Sequence, residues 1–303
     1  MADKNRMFQA NFLLFITAVI WGGGFVAQRL GMQQVGPFLF NGFRFLIGSL
    51  ILIPVMLIRP RSRQIDGGSP GKVISIGSAA GLFLFFGATF QQMGLVSTTA
   101  GKAGFITGLY VILVPLLGML WGDRATLNIW AGAVLAVVGL YFLSVTEGFR
   151  LAVGDGYVIL GAFFWAVHVQ FIARFSTRVD AIRLSFVQSL FTSLISFIVG
   201  LATETASADQ LAAAFWPIIY GGVISIGLAY TLQVVAQQYA RPTPAAIILS
   251  LESVFAAFWG WLFLNEILTP RALLGSGLML AGMTLSQIQF GPGIRKKLFS
   301  PPE

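Results

Sequence analysis

Two stretches decide how this chain is read: Trp21-Gly22-Gly23-Gly24-Phe25 and, 144 residues later, Trp165-Ala166-Val167-His168-Val169. A second pair recurs at an offset of 143. Gly122-Asp123-Arg124-Ala125-Thr126 precedes Gly132 and Gly139, and Asn265-Glu266-Ile267-Leu268-Thr269 precedes Gly275 and Gly282. The chain is written twice, and both copies are apolar almost throughout, from Phe8 to Phe290. Paired repeats of this kind are how many secondary transporters place a solute site near the bilayer midplane.

Composition agrees with a membrane setting. Hydrophobic residues make up 56% of the chain and charged residues 10%, against about 25% charged in ordinary soluble domains. The 28 Phe suit a lipid-facing surface and the 35 Gly suit close helix contacts. With no cysteine, disulfides and thiolate chemistry are excluded. A single histidine, His168, cannot by itself build a metal site or a catalytic triad, so neither a metal nor a cofactor is expected. The N-terminal apolar run carries a Gly-Gly-Gly and no small-x-small cleavage signal, so the first helix is expected to be retained.

Runs free of Asp, Glu, Lys and Arg mark spans at 7–28, 73–101, 103–122, 125–146, 156–173, 184–203, 210–240 and 272–294. Each is near or above the roughly 20 residues that cross the hydrocarbon core. Tolerating one charge adds 36–58, with Arg44, and 242–264, with Glu252. The expected fold is an all-α integral membrane protein of ten transmembrane helices, in five-helix repeats at 7–146 and 156–290. With a cytoplasmic N-terminus, 14 basic residues fall inside and 4 outside, the bias of the positive-inside rule. Both termini are then cytoplasmic, in the cell membrane. This placement explains the net charge of +8 without nucleic acid. Five spans per repeat is an odd number, so the repeats enter from opposite faces and are inverted.

Ten spans with this punctuation resemble the EamA family of the drug/metabolite transporter superfamily. The residues that carry the likeness are Trp21-Gly22 and Trp165-Ala166, then Asn41-Gly42-Phe43-Arg44-Phe45. The closing signatures also match, Gly122-Asp123-Arg124 through Gly139 and Leu249-Ser250-Leu251-Glu252-Ser253-Val254-Phe255 through Gly282. The sequence departs at Asp123, where Glu is commoner, and at Ser253, where Pro usually follows the glutamate. The resemblance covers nearly the whole chain and implies transport of small organic metabolites, often amino acids, without naming the solute.

Several polar side chains within apolar spans are candidates for a solute cavity, each with a plainer alternative. Arg44 costs roughly 2.5–3.5 kcal/mol at mid-membrane on insertion scales; it reads as a carboxylate clamp or as a fixed contact to helix-end carbonyls. Glu252, the one carboxylate deep in a span, reads as an amine or proton site or as an anchor between repeats. Lys102 faces anions at the outer mouth or snorkels to the interface. His168, one turn from Trp165, reads as a ring-contacting cavity residue or as hydrogen-bonded packing. Gln188 occupies the repeat position of Arg44, and Gln91 adds an amide; such amides also bridge helices. Trp21 and Trp165 complete the set. Gly22-Gly23-Gly24 reads as a hinge or as close packing.

The chain lacks the reactive cluster of an integral-membrane enzyme. Proton-coupled, small multidrug-resistance-type exporters of cationic drugs depend on a carboxylate in the first helix, and 7–28 has none, which disfavours that alternative. A receptor or assembly subunit would show no solute flux. The expected activity is therefore carrier-type movement, in the export direction, of a zwitterionic or anionic metabolite. The partners are that solute and membrane lipid; a monomer suffices, and the oligomeric state is left open. The topology has a direct test, because no native cysteine interferes: Glu147→Cys should react with an impermeant maleimide from outside intact cells. Labelling only from the cytoplasmic side would overturn the orientation.

Overall fold

The computed structural model describes residues 2–58, 69–97, 100–144, 153–264 and 267–287, with the side chains of 2–4, 100–102, 144 and 264 outside that description. Among the described residues there are helices and turns but no strands. They group into ten long helical segments. The first half holds α1 (Ala2–Gly31), α2 (Pro37–Ile58), α3 (Pro70–Leu95), α4 (Ala100–Gly108 and Tyr110–Leu120) and α5 (Leu127–Ser144). The second holds α6 (Val153–Phe175), α7 (Ala181–Thr203), α8 (Phe215–Gln237), α9 (Pro242–Leu249 and Glu252–Leu264) and α10 (Pro270–Gln287). Prolines 37, 70, 242 and 270 each open a helix, where the missing N–H is not needed.

Eight of these segments are long and apolar enough to cross a membrane. The other two are α5, whose apolar stretch Leu127–Leu143 is shorter, and α10, which is absent from the eight. The polarity of a soluble fold is turned inside out. Leu57, Leu120, Leu201 and Trp216 are each at least three-quarters exposed, while Asn41, Gln92, His168, Gln188 and Thr192 are fully buried.

The contacts carry a two-fold pattern. Helix α1 packs on α8 and α9, and correspondingly α6 packs on α3 and α4. Helix α2 meets α8 as α7 meets α3, while α2–α7 and α5–α10 pair each helix with its own counterpart. Glycines show the direction of the pairing. A Cβ added at Gly132 or Gly282 would stand 2.6 Å from the other's carbonyl oxygen, and one at Gly139 or Gly275 would stand 2.5 Å from its partner's. The 143-residue shift exchanges these two pairs. Position 132 lies by 282 and 139 by 275, so α5 and α10 run antiparallel. Equivalent helices running in opposite directions are what inverted repeats require.

The same pairs set an expectation. Gly139→Val or Gly282→Val forces a side chain into backbone and should cost about 1–3 kcal/mol, lowering the melting temperature of the protein in detergent. Gly277→Ala meets nothing within 4 Å and should leave it unchanged. Equal stability of all three would show that the α5–α10 crossing does not hold the halves together.

Candidate functional site

Four helices depart from unbroken α-winding, α2 at Ile51 and also α4, α8 and α9, and the last three departures converge. Helix α4 is interrupted at Leu109 and α9 at Ser250–Leu251, directly before Glu252. The 143-residue shift carries Leu109 onto Glu252, so both interruptions fall at nearly the same repeat position. Within α8, Tyr220–Tyr230 is wound as a π-helix, a rare winding frequently met at functional sites. Its loosened carbonyls are taken by side chains. Trp21 Nε1 donates to the Ser225 carbonyl at 3.3 Å, Thr231 Oγ1 to Gly227 at 2.7 Å and Thr17 Oγ1 to Ala229 at 3.3 Å. At the α9 break, Ser250 Oγ donates to the Ile247 carbonyl at 2.9 Å.

These irregular segments wall a central cavity of about 40 Å³. Trp21 and Gln28 come from α1, Arg44 from α2, Gln91 from α3 and Tyr110 from α4. Trp165 comes from α6, Ser225, Tyr230 and Gln233 from α8, and Glu252 from α9. Both halves contribute, so the cavity sits at the repeat interface. Arg44 Nε donates to Asn41 Oδ1 at 2.9 Å, and the guanidinium carbon lies 5.4 Å and 5.2 Å from the Phe40 and Phe45 ring centres. Among the described residues, its other N–H groups meet no acceptor and nothing donates to the Glu252 carboxylate. The two are 4% and 8% exposed. One cavity thus holds a fork of unused donors and an unused carboxylate.

Aromatic rings form the rest of the wall. Tyr230 lies 4.6 Å from Trp21 and 6.0 Å from Trp165, centre to centre. Gly87 of α3 has no side chain to fill the space that the Trp165 indole takes, 3.1 Å from an added Cβ. The two tryptophans, equivalent by repeat, therefore converge on a single tyrosine.

The sequence candidates divide. Trp21, Arg44, Gln91, Trp165 and Glu252 line the cavity. His168 and Gln188 are not among its lining residues; His168 Nε2 and Gln188 Oε1 are 3.1 Å apart, both fully buried, joining α6 to α7. The Lys102 side chain lies outside the described residues. Asp155 is a second buried carboxylate, in the first turn of α6, and it does not line the cavity. The triple glycine is packing rather than a hinge. Helix α1 runs through it unbroken, and a Cβ on Gly22 would stand 2.5 Å from Phe255 Cβ. Sequence reading missed Gln28, Tyr110, Ser225 and Tyr230, which no feature of the sequence set apart.

A bundle of apolar helices around a polar cavity between two repeats defines a multi-pass membrane transporter. The chain belongs to the EamA-like transporter family, whose model matches residues 8–145 and again 152–287. An "Uncharacterized transporter" of Archaeoglobus fulgidus is 31% identical over 289 residues, covering 95% of this chain and 89% of that one. A "Probable terminal-alkyne amino-acid exporter" of Streptantibioticus cattleyicolor is 24% identical, covering 92% and 94%. A solved crystal structure shares the fold at a TM-score of 0.78 and 20% identity, over 96% of this chain and 99% of that chain.

The convergence on Tyr230 predicts a stability difference. Tyr230→Ala removes the ring between two tryptophans and should cost about 3–5 kcal/mol, seen as loss of monodisperse protein or a large fall in melting temperature. Tyr230→Phe keeps the ring and should retain the wild-type melt. An unchanged melt in the alanine variant would show that the aromatic wall is not packed as described.

Proposed function

We propose that this transporter exports a small zwitterionic metabolite, an amino acid or a close relative, by alternating access. The observation that carries the reading is the pairing of unused Arg44 donors with an unused Glu252 carboxylate in one cavity. A carboxylate suits the planar guanidinium fork, and an amine suits the glutamate. The name of the amino-acid exporter quoted above supports the same solute class. Repeats 7–146 and 156–290 would rock about the cavity, with α5 and α10 also crossing the bilayer and both termini in the cytoplasm of the cell membrane.

The size of the cavity bears on the mechanism. About 40 Å³ accommodates water rather than an amino acid, so the solute-bearing form has to be wider. The interrupted α4 and α9 and the π-wound α8 are the segments able to widen it, because their backbones already depart from the rigid α-ladder.

The test is flux of a labelled amino acid in proteoliposomes, set beside its N-acetyl derivative, which lacks the cationic amine. Arg44→Gln should lower uptake of both by about 10- to 100-fold, the worth of hydrogen bonds to a charge. Glu252→Gln should lower uptake of the free amino acid only, erasing the preference over the acetylated form. Equal effects of Glu252→Gln on both solutes would overturn the zwitterion assignment. Absence of saturable flux across a broad amino-acid panel would overturn the solute class.

A further inference from the structure

A second recess, of about 410 Å³, opens at the far end of the same two interrupted helices. Pro115 of α4, Arg124 and Ala125 of the following turn, and Arg241 and Thr243 at the start of α9 line it. Its volume falls within the usual range of small-molecule sites. Val111, Val114, Ile247 and Ile248, each exposed by no more than 2%, lie on α4 and α9 between it and the central cavity. Tyr110 to Pro115 and Thr243 to Leu249 are five and six residues, so this apolar plug is roughly 8 Å thick at the α-helical rise.

The charge of the recess is one-sided. Its only acidic lining residue, Asp123, is held by Arg174 at 2.8 Å, and Arg174 in turn lies over the Trp121 ring at 4.8 Å. Arg124 and Arg241 have no acidic partner among the described residues. Thr243 is more than nine-tenths buried, and its hydroxyl also finds no partner among them. Membrane topology accounts for basic residues in these loops. It does not account for two unpaired arginines and an unpaired hydroxyl lining one concave recess.

We propose that this recess is a second solute site, an oxyanion-binding vestibule in which Arg124 and Arg241 capture a carboxylate before the plug opens toward Arg44. The proposal rests on the reading above for the solute's carboxylate and for the cytoplasmic face. Two like charges in a concavity raise the local concentration of anions, and the hydroxyl supplies a directional donor. Solute would pass from the basic vestibule to the central cavity, where the carboxylate meets Arg44 and the amine meets Glu252.

The test uses the native absence of cysteine. Ala125→Cys in the purified full-length protein is labelled with a neutral maleimide in the presence of succinate or inorganic phosphate, with choline chloride matching the ionic strength. Both anions should slow labelling. Arg124→Gln or Arg241→Gln should each raise the concentration for half-protection about fivefold, the worth of one solvated ion pair. Lysine at both positions should keep most of the protection. Three results would overturn the site: no protection beyond the salt control, protection indifferent to the glutamine changes, or equal loss with lysine and glutamine. Slowing by phosphatidylglycerol nanodiscs with none by the soluble anions would make the occupant a lipid headgroup and overturn the solute vestibule. Protection reads occupancy without transport. Protected labelling with no amino-acid flux would therefore leave this site standing while removing the solute assigned above.

Discussion

Hydrocarbon offers a peptide group no hydrogen-bond partner, so a chain crossing it must satisfy its backbone internally or face something polar. That constraint organises this molecule. Six of its ten long segments keep unbroken α-winding, and of the four departures all but the one at Ile51 in α2 are drawn to one place. The interruption in α4, the interruption in α9 and the π-wound stretch of α8 all border the central cavity. Where the π-winding loosens the ladder, Trp21, Thr17 and Thr231 supply the missing donors. Trp21 therefore both closes the cavity wall and stabilises the irregular helix behind it, which is why its position cannot be separated from the winding of α8.

The repeats supply the scaffold, and their differences supply the chemistry. The glycine crossings of α5 on α10 obey the two-fold relation residue by residue. Inside the cavity Trp21 and Trp165 keep the relation, and Arg44 breaks it. Arg44 has Gln188 as its counterpart, and Gln188 turns to His168 instead of the cavity. Gly87 leaves the space that admits Trp165 beside Tyr230. A symmetric cavity would present identical groups on opposite walls and would suit a symmetric ligand. Departure from that symmetry yields a cation on one side, a carboxylate on another and a single tyrosine between two tryptophans, a lining that distinguishes the two ends of a solute.

Legibility in the sequence followed the strength of each physical signal. Long apolar runs and paired glycines are compositional, so the helical class and the doubling could be read directly. Arg44 and Glu252 stood out because charge inside a span is expensive, and the fold brings both to one cavity. Tyr110 and Tyr230 did not stand out, because a tyrosine in an aromatic-rich helix looks the same whether it faces lipid, core or cavity. The π-winding leaves no periodic mark over 11 residues. The pairing of His168 with Gln188 depends on which faces of α6 and α7 meet, a tertiary fact. The Gly22-Gly23-Gly24 run was ambiguous for the opposite reason: hinge and close contact ask for the same residue, and only the approach of Phe255 decides between them.

Two buried ionisable groups with no counter-charge among the described residues are costly by the rules of any interior, and the arrangement makes sense when the counter-charges come from outside. Had Arg44 and Glu252 bonded to one another, the cavity would be stable when empty and indifferent to solute. Held on separate helices, each retains unused hydrogen-bonding capacity, and a zwitterion on the proposed reading supplies both counter-charges together. Contraction of the cavity around such a solute removes water and strengthens both contacts, whereas contraction around a solute with one charge leaves the other group stranded. The same feature that penalises the empty cavity would then couple contraction of the bundle to recognition of the complete solute. The irregular helices that carry Tyr110, Tyr230 and Glu252 are placed where that coupling can act.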